Sequence, residues 1–245
     1  MLELKIESWM AIAPGLSLDE QWRDWCLNPS ALADSKIPAD LSSISPILRR
    51  RFSPLGKTAL SSILPLLEDD EKIVSVFASR HGDTKLTLSL LETIGLEQDV
   101  SPTKFSLAVH NAVSGLFSIA RNDTSAMTSI AAKDGLFLQA LLESAGQLLD
   151  CERVLCVIHD VPLPDDYRRY VTTLNYPYAI AVIFNRSKGQ SLRIESSDCA
   201  YDDIDHAAFT ADYGQEFTFA GLLAGAWQNM QCCVHNRHWR VSLAK

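Results

Sequence analysis

The residues best placed to do chemistry surround one turn, between a short β-branched segment and an apolar helix. Residues 128–149 read TSIAAKDGLFLQALLESAGQLL, and the predicted helix has only a narrow polar stripe at Gln139, Glu143 and Gln147. A helix that is apolar on most sides belongs inside a fold. Strand, sharp turn and buried helix is also a layout that presents a catalytic nucleophile at a helix N-terminus. Here the turn holds Asp134 and no cysteine or serine at its apex, so the sequence predicts the frame of a nucleophile site without its nucleophile.

A second group of reactive side chains lies near the C-terminus. Cys232, Cys233, His235 and His238 are residue types that zinc accepts as ligands. Adjacent cysteines that alternate with apolar residues also fit a strand, whose side chains point to opposite faces. We favour the strand, and we expect neither a metal ion nor a cofactor.

Three further positions have both a chemical and a structural interpretation. His159 and Asp160 follow the apolar run RVLCVI, at the end of a predicted strand, where α/β proteins often place chemistry. A hydrogen-bonded structural pair is the interpretation we favour. Cys156 lies within that run, among apolar neighbours that would keep its thiol inert.

Composition narrows the function classes. The chain has 245 residues, a formal net charge of −8 and six cysteines at irregular spacing. The acidic balance argues against nucleic-acid binding, and no apolar run approaches the roughly 20 residues of a membrane span. The start MLELKIESWM does not resemble a signal peptide, so we expect a cytoplasmic protein with reduced thiols.

Periodicity and capping residues predict alternating strands and helices. Strands are expected at 2–12, 72–78, 127–132, 153–159, 178–184, 191–195 and 239–243. Helices are expected at 17–26 (with a Ser17–Glu20 capping box), from 54, and at 83–95, 103–120, 136–149 and 217–230. Ser53-Pro54 and Ser101-Pro102 each supply an N-cap and a first-turn proline, and Asp83 starts the helix that Gly95 ends. The segment 191–195 is expected to pair with 178–184 or to extend it. The alternation predicts an α/β layered fold with a largely parallel sheet.

The middle of the chain resembles a known family. The run SPTKFSLAVHNAVSGLFSIA opens a helix with Ser-Pro and places Asn111 three residues before Ser114-Gly115; the turn, the apolar helix and a strand at Arg153 follow. Over residues 2–191 this resembles the N-terminal half of a β-ketoacyl synthase of the thiolase fold. It is most similar to the chain-length-factor-like proteins that accompany a ketosynthase in type II polyketide systems such as aryl polyene synthesis.

The resemblance implies a fold and two segments. We expect the N-terminal half of a thiolase-like fold, with a mixed five-stranded sheet and helices, over residues 1–197. Residues 198–245 would form a short C-terminal extension that packs on the same domain and covers part of the central helix. In the family a second half of the fold covers that helix, and this chain ends at Lys245 without room for it.

Carried over residue by residue, the resemblance implies a protein that does not catalyse condensation. The family's turn has the form Ile-Ala-x-x-Cys, whereas Ile130 and Ala131 lead here to Asp134. A carboxylate cannot form the acyl thioester, and the family's two catalytic histidines belong to the second half of its fold. Asp134 has two interpretations: a charge stabilised by the helix amides and dipole, at about 0.5–2 kcal/mol, which we favour, or one that mimics or repels an acyl carboxylate.

The resemblance also implies partners. The family dimerises through the strand before the turn, so the expected partner is a catalytic β-ketoacyl synthase, with acyl carrier protein reached through it. The expected interface residues are Met127, Thr128, Ser129, Ile130, Ala131, Ala132, His110 and Asn111. Residues expected to line the partner's acyl tunnel are Thr103, Phe105 and Ser106. The alternatives are core positions for His110 and Phe105.

Two other function classes stay open. One is a stand-alone acyltransferase or hydrolase that uses a different nucleophile, such as Ser129 or Cys156. The other is a scaffold that binds acyl groups or carrier protein. The basic run Arg49 to Arg51 could meet an acidic carrier protein, although such runs are usually solvated.

Overall fold

The computed structural model describes residues 1–32, 37, 40–171, 176–199 and 206–244. The strands are β1 (Leu2–Ile12), β2 (Val74–Ala78), β3 (Met127–Ile130), β4 (Arg153–Asp160), β5 (Tyr178–Asn185), β6 (Gln190–Ser197), β7 (Asn229–Val234) and β8 (Arg237–Leu243). The helices are α1 (Asp19–Leu27), α2 (Pro46–Arg49), α3 (Pro54–Ile63), α4 (Thr84–Gly95), α5 (Pro102–Ser106), α6 (Ala112–Arg121), α7 (Leu136–Gln147), α8 (Asp165–Arg168) and α9 (Ala207–Leu223). None of these helices is long and apolar enough to cross a bilayer.

All the described strands form one mixed sheet of eight, in the order β3-β2-β4-β5-β1-β6-β8-β7. β3, β2 and β4 are parallel, and every other neighbouring pair is antiparallel. The α/β class and the mixed sheet are confirmed. The expectations of five strands and of a largely parallel sheet were wrong, because helical crossovers connect only the β2–β3–β4 part and the hairpin β7–β8 extends the other side.

The connection from β5 to β6 explains a further difference. The two strands are close in sequence, yet β1 lies between them and pairs with both, so the expected pairing of these two strands was wrong. The connection crosses the backbone of β1 at Gly189, which has φ 118°. A Cβ there would lie 2.0 Å from the carbonyl oxygen of Ile6. Only glycine allows so close an approach.

The core lies on both faces of the sheet. On β4, Val154, Cys156 and Ile158 face the layer of α1, α7 and α9, whereas Leu155 and Val157 face the layer of α3 and α6. A strand buried on both faces has a continuous apolar sequence. The same pattern confirms the buried strand predicted for the KIVSVFA segment, where Val76, Phe77 and Ala78 are buried.

The central helix α7 is covered by a helix from the C-terminal segment. Its inward face contacts β2 and β4, and its other side contacts α9. The rings of Phe137 and Phe219 lie 5.6 Å apart between centroids. α9, from the C-terminal segment, therefore packs on the central helix as expected. Residues 200–205 of the acidic segment lie outside the described residues.

Three helix predictions were wrong, two in their limits and one in its capping residues. The expected helix at 103–120 is two helices, α5 and α6, with His110 and Asn111 between them. The helix expected at 217–230 begins earlier and ends at Leu223, because Gly225 follows with φ 74° and β7 begins shortly after. At α1 the Ser17–Glu20 capping box is absent. Instead the side-chain oxygen of Gln21 accepts bonds from the backbone N–H of residues 17 and 18, at 3.0 and 3.1 Å.

The C-terminal cysteines lie on a strand, as we favoured. Cys232 is buried and Cys233 is exposed, on opposite faces of β7. His235 and Asn236 form the two-residue turn to β8, with φ 51° and 60°. Positive φ at both central residues is the geometry of a tight hairpin turn. All six cysteines are free thiols, and no group of three or more metal-ligating side chains is brought together in the described part of the chain.

Candidate functional site: a closed turn and an open edge

The turn between β3 and α7 is closed at its apex. Gly135 is the N-cap residue of α7, with φ 65° and ψ 38° in the left-handed region. A Cβ at this position would lie 2.5 Å from Cγ2 of Val234, at the end of β7. Backbone conformation and close packing therefore both require glycine here. The C-terminal hairpin therefore packs against the turn at the residue that follows Asp134, the position at which the resemblance places the family's cysteine.

Asp134 is the residue before Gly135 in this turn. Its side chain is exposed, and it precedes the N-cap residue by one position. No side chain caps α7, so the hydrogen-bonded part of the favoured interpretation was wrong. What remains for Asp134 is the attraction of an exposed carboxylate to the positive end of a helix dipole.

The other candidate nucleophiles lack activation. Burial raises the pKa of the Cys156 thiol to about 12, so it is protonated at neutral pH. The Ser129 hydroxyl lies 2.9 Å from the hydroxyl of Ser114, which is not a base. A serine nucleophile needs an adjacent general base. These contacts give neither residue the environment of a catalytic nucleophile.

β3 is the edge strand of the sheet. It pairs with β2 on one side, and all four of its residues are half-buried. Two side-chain contacts fix it: the Ser114–Ser129 hydroxyl pair and a bond of 3.3 Å from Gln147 Nε2 to Thr128 Oγ1. After the strand, Ala131 is exposed and Ala132 is half-buried. An edge strand carries unpaired N–H and C=O groups that can pair with another chain.

A weakly buried helical segment, residues 84–109, lies between β2 and β3 in sequence; we call it the arm. α4 buries Leu90 alone, and α5 buries no residue. The tunnel candidates Thr103, Phe105 and Ser106 are all exposed; Phe105 is 63% exposed, so the alternative that placed it in the core was wrong. Of the twelve large apolar side chains exposed in the described residues, six lie on the arm and on α6: Leu91, Ile94, Leu96, Phe105, Val109 and Ile119.

His110 and Asn111 follow the arm at the surface. Both are exposed, so the core alternative for His110 was wrong. The His110 ring nitrogen Nε2 lies 2.9 Å from the carbonyl oxygen of Ser79. Asn111 is the N-cap residue of α6, and its carbonyl oxygen accepts from Gly115 N–H. The structure thus brings His110 to the end of β2.

A buried polar cluster lies at the carboxyl ends of β2 and β4. Asp160 is part of this cluster, which agrees with the structural role that we favoured for it. The Asp160 carboxylate accepts bonds from Ser79 Oγ at 2.7 Å, from Arg80 N–H at 2.9 Å and, more weakly, from His81 N–H at 3.4 Å. The Tyr178 hydroxyl donates to the same carboxylate at 3.4 Å. Burial raises the pKa of Tyr178 well above its ordinary value, so it stays a neutral donor.

Arg80 joins this cluster to α9. Its guanidinium lies 3.5 Å from Glu216, a buried carboxylate just after the kink at Gly214. Burial raises the pKa of Glu216, and the charge of Arg80 opposes that shift. The sequence analysis missed Arg80 and Glu216, because an arginine in a loop and a glutamate within a helix carry no local signal for pairing over 136 positions.

His159 lies beside this cluster without joining it. It faces the α3–α6 layer, with its ring 5.9 Å from that of Phe77 in an edge-on arrangement. Burial lowers the pKa of His159 to about 4, so the ring is neutral at physiological pH. His159 and Asp160 therefore point to opposite faces of the sheet, and the predicted pair does not form.

Comparison with known sequences decides the family. Residues 22–242 match the family described as the N-terminal domain of β-ketoacyl synthase. The chain belongs to the β-ketoacyl synthase family. No curated protein matches it significantly.

Solved structures share the fold of this β-ketoacyl synthase family member along its whole length. One chain of the complex of the ketosynthase ApeO with its chain length factor ApeC from Xenorhabdus doucetiae is 26% identical, with a TM-score of 0.81, covering 99% of this chain and 100% of that one. A chain of the ishigamide ketosynthase/chain length factor is 11% identical, with a TM-score of 0.71 and 99% coverage of both.

A third structure is a type II polyketide synthase complex, AntDE:AntF, in which acyl carrier protein binds its ketosynthase. The matched chain is 10% identical, with a TM-score of 0.66 and 99% coverage of both. The last two likenesses concern the fold alone. Together the comparisons confirm the ketosynthase-like fold of the family's N-terminal domain.

Proposed function

We propose that this chain is a non-catalytic, chain-length-factor-like subunit that pairs with a catalytic β-ketoacyl synthase, stabilises it and shapes its acyl tunnel. The systems concerned make aryl polyenes or related polyketides by fatty-acid-like elongation. Acyl carrier protein would reach the pair through the ketosynthase. The likeness to a chain of the ApeO–ApeC complex supports the pairing, because that structure holds a ketosynthase with its chain length factor.

The closed turn is the observation that carries the proposal. Decarboxylative condensation needs a thiolate that holds the acyl chain as a thioester. Asp134, an exposed carboxylate, stands at the position where the resemblance places the family's cysteine, and Gly135 beside it packs against Val234. The buried thiol of Cys156, with its pKa raised to about 12, offers no replacement. These features favour a partner role over the stand-alone acyltransferase or hydrolase.

The open edge supplies the surface for the partner. β3 is the edge strand of the sheet, α6 contacts it, and six of the exposed large apolar side chains lie on the arm and on α6. Exposed apolar surface of this kind often marks an interaction site. On this proposal the residues at 127–132, together with His110 and Asn111, meet the ketosynthase. Thr103, Phe105 and Ser106 on α5 approach its acyl tunnel, where filled volume discriminates between chain lengths.

Co-expression with a β-ketoacyl synthase of the same organism tests the proposal. We expect a stable pair on size-exclusion chromatography, and a Kd raised by about tenfold or more for Leu96→Ala and Phe105→Ala. Leu27→Ala is the matched control, because Leu27 is also exposed but lies on α1, which packs against α9. That variant should bind like the wild type.

The catalytic part of the proposal needs its own measurement. Intact-mass spectrometry of the pair with acyl carrier protein loaded with substrate should find the acyl adduct on the ketosynthase and none on this chain. Failure to pair, or an acyl adduct on this chain when it is incubated alone, would overturn the proposal. Binding of carrier protein without any ketosynthase would instead support the scaffold alternative.

A further inference from the structure

The two ends of the arm meet at one residue, Ser79. Its carbonyl oxygen lies 2.9 Å from Nε2 of His110, where the arm ends. Its hydroxyl accepts a bond of 2.9 Å from Gly82 N–H, in the turn from which the arm begins. Gly82 has φ 59°, and a Cβ there would lie 3.4 Å from the His110 ring. Contacts among Ser79, Gly82 and His110 therefore bring the two ends of the arm together. We call these three residues the clasp.

A buried carboxylate fixes the clasp to the sheet. Asp160 ends β4, an interior strand of the sheet that pairs with β2 in parallel and with β5 antiparallel. It accepts from the Ser79 hydroxyl and from the backbone N–H of Arg80, at 2.7 and 2.9 Å. Two charge-assisted bonds to one buried carboxylate hold the turn in a single geometry. The turn then passes directly into α4, whose N-terminus Asp83 caps by accepting from Leu86 N–H.

Arg80 supplies a second attachment, on the other side of the turn. Its guanidinium pairs with Glu216 of α9 at 3.5 Å, and its side chain is 22% exposed. The arm itself has little other support, since α4 packs mainly against α5 and buries only Leu90. Its direction therefore depends on its base.

We propose that Asp160 and Arg80 are positioning residues that fix the angle at which the arm leaves the sheet, and thereby set the acyl chain length made by the paired ketosynthase. The inference rests on the proposed function, because α5 must approach the partner's tunnel. Twelve helical residues span ~18 Å, so a tilt of about 8° at the base of α4 moves its far end by ~2.5 Å. That displacement is similar to the length that the two carbons of one elongation unit add to an acyl chain.

The first measurement uses the full chain without its partner. Amide hydrogen exchange should be faster by about tenfold or more across residues 84–109 in Arg80→Gln and Asp160→Asn, and unchanged in α7. Arg80→Lys keeps a cation near Glu216 and should restore most of the protection. Asp165→Asn is the control, because Asp165 is an exposed aspartate whose ion pair with Arg168 stays within α8.

The second measurement uses the reconstituted pair, with this subunit in saturating excess so that occupancy is equal. Arg80→Gln should broaden or shift the product distribution by at least one elongation unit, and Arg80→Lys should restore it. A merely structural defect would lower yield without moving the distribution. If Asp160→Asn does not fold, Arg80→Gln carries the test, because its side chain reaches solvent.

The outcomes separate the two proposals. If the wild-type chain does not pair with the ketosynthase, the proposed function is overturned. The exchange measurement still decides whether Asp160 and Arg80 orient the arm. A wild-type chain that pairs, with Arg80→Gln giving unchanged arm exchange or an unchanged product distribution, overturns the positioning role alone.

Discussion

Two helices of equal length, α7 and α4, differ in burial: α7 lies in the core and α4 lies at the surface. Both contain twelve residues, and both are rich in leucine. α7 buries six of its residues between the sheet and α9, whereas α4 buries only Leu90. Apolar character therefore does not decide which helix is core; the available neighbours do. The buried helix carries the scaffold of the family, and the exposed one presents apolar surface that this chain leaves uncovered.

The difference also separates stability from function. At the turn before α7, Gly135 packs against Val234, and the side chains of α7 pack in the core, so this region stabilises the fold. At the arm, apolar side chains such as Leu91 and Ile94 contribute little burial to the isolated chain. Large exposed apolar patches are uncommon on monomeric proteins unless they bind something. The comparison thus assigns stability to α7, and it agrees with the recognition role that we propose for the arm.

A matched pair of leucine substitutions should show the largest effect. Leu141→Ala removes a fully buried side chain of α7 and should lower the free energy of unfolding by about 2–5 kcal/mol. Leu91→Ala, on the exposed face of α4, should change it by no more than about 0.5 kcal/mol. Chemical denaturation of the isolated chain measures both values. Similar losses for the two variants would contradict the division between scaffold and arm.

Acid should weaken the body of the fold through His159. Burial holds the pKa of His159 at about 4, below the ordinary 6.5, so the unfolded chain takes up a proton before the native one does. Stability is therefore fully present above pH 6.5 and is lost as the pH falls toward 4. From about 1.4 kcal/mol per pKa unit, the loss is about 3 kcal/mol.

Urea titrations at several pH values between 7.5 and 4.5 measure this loss. His159→Met fills a similar volume without a titrating group and should remove most of the slope. Some slope should remain, because burial also lowers the pKa of His81. If the unfolding free energy of His159→Met fell with pH as steeply as that of the wild type, other groups would control the acid sensitivity.

Local sequence signals predicted the helices whose capping side chains bind their own first-turn N–H groups, and they predicted the limits of the first strand. The Ser53–Pro54 start of α3, the Asp83 cap of α4 and the Ser101 cap of α5 are all present, with the predicted side chains accepting backbone N–H bonds. The strand from Leu2 to Ile12 has its predicted limits. Caps and alternation depend on neighbours a few residues away, which a sequence displays directly.

Long-range arrangements were beyond such signals. The pairing of β1 with both β5 and β6 depends on Gly189 crossing its backbone, and a lone glycine does not name what it approaches. Closure of the turn likewise requires Val234 to reach Gly135 from 99 positions away. The sequence could show that a nucleophile was missing at Asp134. Only the structure shows that Val234 packs against the next residue, Gly135.

Asp134→Ala should have the smallest effect, and it tests whether the closed turn retains any electrostatic role. The carboxylate is exposed, one residue outside the N-cap, and it makes no capping bond to α7. Only the helix dipole can stabilise it, so we expect a loss of about 0.5 kcal/mol or less, screened further by salt. Unfolding at low and high ionic strength measures the value. A change in the products of the ketosynthase pair with stability intact would instead favour a charge that acts on the acyl chain, and would return part of the function to the turn.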